Sequence, residues 1–173
     1  MQYMEGLAVS EKWNINVVLC KYCDEEEGTV KEIFNNIKFS KDATPPFYMV
    51  TFINGINVGE QLELFYCIDK IDNRPNKIKR ARAGKIRLER NGEKAHYPDG
   101  SIKKSSVERC CIDMISNRIN GIRFPEIGAY ELKVYGFTDS EEIEKLKQID
   151  DKKKDEMFTN ERLVATYPFE VIA

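Results

Sequence analysis

Apolar side chains in this sequence recur at every second position and seldom at helical spacing, and that pattern confines most of the chain to sheets. In the stretch 60–69, Leu62, Leu64, Tyr66 and Ile68 share one strand face while Glu63, Phe65, Cys67 and Asp69 share the other. We expect the first face on a core and the second partly wet. The stretch 15–22 is rich in β-branched and aromatic residues and reads as a strand buried for much of its length. An acidic turn closed by Gly28 follows, and 29–34 with 37–39 reads as the returning partner, with an irregularity at Asn35-Asn36. Thr44-Pro45-Pro46 breaks the chain before a further strand, Phe47 to Ile53, and Asn54-Gly55 signals a turn.

Farther along, 85–90 alternates and ends at Asn91-Gly92, a hairpin signal, and Tyr97 to Gly100 reads as a turn. Val107 to Ile115 reads as a strand, as do 131–136 and 162–172, the last with Pro168 marking an edge or a bulge. Gly128 stands two residues before Tyr130 at a strand entrance, as in a tyrosine corner, where the hydroxyl ties down a crossing loop. Between the last two strands Asp139 and Glu142 stand at capping-box offset. Ile143, Leu146 and Ile149 then make a narrow apolar stripe, and the charged remainder reads as one surface helix in a hairpin loop.

At least seven short strands and one helix imply a mainly β fold: an antiparallel immunoglobulin-like β-sandwich with one surface helix inserted between the last two strands. The chain has 173 residues, of which 42% are apolar, enough for one core, and no repeat or linker divides it. We expect a single domain over 1–173, with a basic hairpin excursion at 70–106 and a helical insert at 139–158.

The two ends of the chain carry a resemblance. Val17-Val18-Leu19-Cys20, the run Ile33 to Ile37 and the prolines open it; Phe124 to Val134 and the return from Ala165 to Val171 close it. These hairpins, about half the chain, resemble a bacterial family of small uncharacterised β-sandwich proteins known only as a domain of unknown function. Its members usually join the last two strands by a tight turn, where this chain has a charged helix. The resemblance implies a fold and supplies no catalytic residues.

Net charge is -2, which excludes a generally basic nucleic-acid coat protein. No window of 18 apolar residues is present, and the start, Met1 to Gly6, lacks the basic-then-apolar layout of a secretory signal. Five cysteines, an odd number, then suggest reduced thiols, and we expect a cytoplasmic protein without a membrane partner. Cys20 and Cys23 have the spacing of a zinc knuckle, and Cys110-Cys111 could add two thiolates. On a strand, however, positions i and i+3 point to opposite faces, so we read these as structural thiols and expect no metal and no cofactor. The one histidine, His96, reads as a solvated turn residue, with no nucleophile elbow for a hydrolase. No phosphate-binding glycine loop is present, and Asp69 and Asp72 alone do not make a calcium loop.

The sharpest charge feature is the run 77–87, in which Lys77, Lys79, Arg80, Arg82, Lys85 and Arg87 fall among eleven positions without an acid. It could present a cationic ribbon to phosphates or to an acidic protein, although it lacks stacking aromatics, and a solvated hairpin balanced by acids elsewhere is the blander reading. Trp13, in a polar arm, is a candidate protein contact. The expectation is a non-catalytic binding protein whose partner is another protein. The alternative is a nucleic-acid or anionic-ligand binder using the strip from Lys77 to Arg90.

Overall fold

The structure, a computed structural model, describes residues 14–54, 61–71, 80–91, 94–96 and 112–173, and at 80–91, 94–96 and 112–113 it describes backbone pairing only. In chain order the strands are β1 (Asn14–Asp24), β2 (Thr29–Ile33), β3 (Asn36–Lys38), β4 (Phe47–Asn54), β5 (Gln61–Lys70), β6 (Arg80–Asn91), β7 (Lys94–His96), β8 (Ile112–Ile119) and β9 (Gly128–Phe137). Two helices follow, α1 (Ser140–Gln148) and α2 (Asp151–Met157), then a 3-10 turn at Asn160–Arg162 and the last strand, β10 (Leu163–Ile172).

The strands form two sheets, ordered β2-β1-β4-β8 and β3-β10-β9-β5-β6-β7. Every pairing is antiparallel except β3 with β10, which is parallel. The fold is thus mainly β, as the alternation implied. Ile15, Val17, Leu19, Met49 and Ile53 from one sheet meet Leu62, Leu64, Tyr66, Leu132 and Phe169 from the other in one apolar cluster, so the sheets pack face to face. A polar contact crosses that interior: the hydroxyls of Thr51 on β4 and Tyr66 on β5 lie 2.7 Å apart, both buried.

The second face of β5 is not wet. Phe65 and Cys67 are buried with Tyr135, Phe137, Ile143, Leu146 and Phe158, and Glu63 and Asp69 are 3% and 2% exposed. The insert lays Ile143 and Leu146 over this outer face, so it closes a second apolar layer rather than riding on the surface. Arg162 pairs with Glu142 and stands 5.8 Å from the Phe137 ring, which ties the insert to the sheet.

The insert is also two helices rather than one. Asp139 caps α1 by accepting from Glu142 N at 2.9 Å, the N-cap half of the box. Ile149 and Asp150 then turn extended, and Asp150 caps a second helix by accepting from Lys153 N at 2.9 Å. A second aspartate with its own downstream amide restarts the helix and breaks the expected single run.

Two further expectations change with the topology. β10 lies inside its sheet, between β9 and β3, and is not an edge. Pro168 is tolerated there because β3 pairs only with Glu170 to Ile172, so nothing in β3 asks Pro168 for an amide. The irregularity at Asn35-Asn36 is a transfer between sheets: β2 pairs with β1 in the first, and β3 joins β10 in the second. The tyrosine corner is present as a contact, since Tyr130 Oη donates to Glu126 O at 2.7 Å. Among the described residues, no helix is long and apolar enough to cross a membrane.

Candidate functional site

The transfer between sheets builds a groove. Asp24 Oδ1 accepts from the amides of Glu26 and Glu27 at 2.9 and 3.1 Å, and Gly28 at φ 67° lets the hairpin close. At the other end of β2, Glu32 adopts φ 56°, a left-handed conformation uncommon for a residue with a side chain, and bends the strand away. Phe34 N still reaches Leu19 O in the first sheet at 3.0 Å, yet Asn35 O accepts from Glu170 N in the second at 2.9 Å. Tyr167 Oη holds the crossover by donating to Phe34 O at 2.7 Å.

The opposite wall is Pro45-Pro46. Thr44 anchors it through two bonds to Ile122, backbone N to O at 3.0 Å and side-chain Oγ1 from N at 3.1 Å. Gly121 makes this approach possible: its φ is 84°, and a Cβ there would stand 3.0 Å from both Ala43 Cβ and Thr44 O.

Between these walls lies an open groove of about 480 Å³, floored by Phe34, Ile37 and Phe47 and flanked by Tyr22, Lys21 and Lys38. Phe34 and Phe47 meet edge to face at 5.7 Å, so the floor is packed. Tyr22 is 59% exposed, a large ring left in water at its rim; Ile33, 55% exposed, is in register with Cys20 and is not part of the lining. Lys21 and Lys38 are exposed cations; Glu32 approaches Lys21 only to 3.8 Å, between two exposed chains. A second concavity of about 440 Å³ shares Asn36 and lies by the tyrosine corner, with Ile71, Tyr130 and Ile172 in its lining.

Of the described thiols, Cys20 and Cys67 are buried. Cys20 and Cys23 were expected on opposite faces, but both pack with Val50 and Met114 on the outer face of the first sheet. The hairpin tip bends over that face, where Glu25 Oε1 accepts from Ser116 N and Oγ at 2.6 and 2.7 Å and draws Cys23 with it. Burial, and secondarily Cys23, pushes the Cys20 thiol up to about 11, so it stays neutral and weakly nucleophilic near pH 7. Burial likewise raises Tyr66, Tyr130 and Tyr167 above the usual tyrosine value. Among the described residues, no group of three or more His, Cys, Asp or Glu could hold a metal ion. Cys110 and Cys111 lie outside the described residues.

Of the basic strip, Arg80, Arg82, Lys85 and Arg87 fall on β6, while Lys77 and Lys79 lie outside the described residues, as does Trp13. Register places Arg80 opposite Asp69, Arg82 opposite Cys67, Lys85 opposite Phe65 and Arg87 opposite Glu63. Glu63 and Asp69, both buried on β5, are thus in register with two of these positions. Asp69 also receives Lys133 Nζ at 3.5 Å. His96 is the last residue of β7, opposite Glu89, rather than part of a turn.

The groove itself escaped sequence reading, because Tyr22 sits in apolar alternation and looks like core. The available signal was the double proline that lines the same groove.

No protein-family model matches the chain. No curated protein matches it either. Among solved structures it is similar to an alkylpurine DNA glycosylase of Pseudomonas fluorescens bound to DNA, at 11% identity and a TM-score of 0.44, over 94% of this chain and 31% of that one. It is similar to a β-glucosidase from Kluyveromyces marxianus at 7% identity and 0.42, over 93% and 14%, and to one from Listeria innocua at 8% and 0.38, over 91% and 16%. The chain spans about a third or less of the length of these proteins.

Proposed function

We propose that this chain is a non-catalytic binding module on an immunoglobulin-like sandwich frame, acting in the cytoplasm and contacting another protein through the crossover groove. The observation that carries the reading is the pairing of an anchored, apolar-floored groove with the exposed ring of Tyr22 and two exposed lysines. Burial of Tyr22 against a partner would remove from water an apolar ring that the chain now exposes. The tyrosine-corner bond and the face-to-face sheets support the frame, and with it the resemblance of the two hairpins to the family of small sandwich proteins.

The test is quantitative capture from host lysate on the immobilised chain, its Tyr22→Glu variant and a Lys154→Glu control on α2. A protein retained by the chain and the control but lost with Tyr22→Glu supports the reading. An identical captured set on all three refutes it.

The second reading, an anionic-ligand or nucleic-acid binder, draws on β6 lying one strand from the sheet edge with its basic residues. Against it stand Glu63 and Asp69 in register with Arg87 and Arg80. A gel shift under salt titration separates the two, since phosphate binding must appear at low salt and fade steeply as salt rises.

A further inference from the structure

The backbone at the groove specifies more than an apolar hollow. Among the described strands β3 pairs on one side only, with β10. Asn35 O accepts from Glu170 N and Phe39 N donates to Ile172 O, so the odd-numbered positions of this strand face β10. Alternation then turns the N–H and C=O of Asn36 and Lys38 to the open side, the side that Tyr22, Pro45 and Pro46 bound. Two donors and two acceptors line an edge between an apolar floor and two lysines.

We propose that this edge is a strand-addition site for an extended, acidic peptide segment of a partner protein, a reading that rests on the binding function above. An added strand supplies carbonyls to the amides of Asn36 and Lys38 and amides to their carbonyls. Alternate side chains of the segment then enter the floor of Phe34, Ile37 and Phe47, while its carboxylates meet Lys21 and Lys38. A nucleic-acid strand fits less well, since its phosphates offer no donors and would face two outward carbonyls. The edge is three residues long, so the segment is short, and pairing there completes an edge that is open among the described strands.

The experiment selects binders from a displayed library of random eight-residue peptides on the whole chain. Recovered peptides are then titrated into isotope-labelled protein. Expected are sequences alternating acidic with aliphatic residues, amide shifts centred on Asn36 and Lys38, and roughly tenfold weaker binding to a Lys21→Glu/Lys38→Glu variant. Lys38→Pro removes an outward amide that β10 does not use, so the fold should persist while peptide binding falls by a similar factor. Failure to recover peptides, or shifts elsewhere with undiminished binding to both variants, overturns strand addition. A lysate partner still lost with Tyr22→Glu in that case leaves the broader binding reading standing; loss of both results removes the two together.

Discussion

The hydroxyl pair that crosses the interior gives a prediction whose size follows from its surroundings. Thr51 and Tyr66 are both buried, stand 2.7 Å apart, and belong to opposite sheets. Tyr66→Phe removes one oxygen and little volume, and leaves the Thr51 hydroxyl in an apolar interior without its partner. Such an orphan costs about 1–3 kcal/mol. Thr51→Val orphans the Tyr66 hydroxyl in the same way and keeps the side-chain shape, so a similar loss is expected. The double variant removes both polar groups and should lie close to the parent, because apolar replacements of matched shape restore a consistent interior. The coupling energy of the cycle is therefore about 2 kcal/mol or more in magnitude. Urea unfolding of the four proteins measures it, with equal slopes required for the comparison. Each single variant should also melt roughly 2–4 °C lower per kcal/mol lost. A double variant whose loss equals the sum of the singles would refute the argument, since the hydroxyls would then not depend on each other.

Three other perturbations follow. Asp139→Ala removes the acceptor for Glu142 N and should lower stability by about 1 kcal/mol, read as a lower melting temperature. Tyr130→Phe deletes the bond to Glu126 O but keeps the ring against Phe124 and Phe169, so the loss should be about 0.5–1.5 kcal/mol, well below that of Tyr130→Ala. Burial holds Cys20 protonated up to about 11, against an ordinary value of 9.0, and this sets a pH window. Its contribution is full below the ordinary value and declines as pH rises towards about 11, where the unfolded chain ionises first. A Cys20→Ala variant should lose stability less steeply across that window in urea titrations, and an unchanged slope would count against it.

The strands were legible because alternation is a local property: each run of every-second apolar residues in β1, β4, β5 and β9 declares its inner face without reference to the rest of the chain. The tyrosine corner was legible for the same reason, since Tyr130 and Glu126 are four residues apart. What the sequence hid depends on partners distant in the chain. Glu63 and Asp69 look solvated until α1 covers one end of their face and Arg80 and Arg87 come into register beside them. Asn35-Asn36 looks like a bulge until β10 appears as the new neighbour of β3. Tyr22 and Ile33 look like core because alternation reports which side of a strand is apolar, not whether anything lies over it.

The dependence of β3 on β10 has a consequence for biosynthesis. The first residue of β10, Leu163, comes 125 positions after the last residue of β3, Lys38, by subtraction of the two numbers. At ordinary ribosomal speeds that interval is roughly 6–25 s. Through it a nascent chain carries β3 without the strand it pairs with, so the edge presented by Asn36 and Lys38 is not yet held in place. A ligand recognising that edge would therefore distinguish finished molecules from those still under assembly.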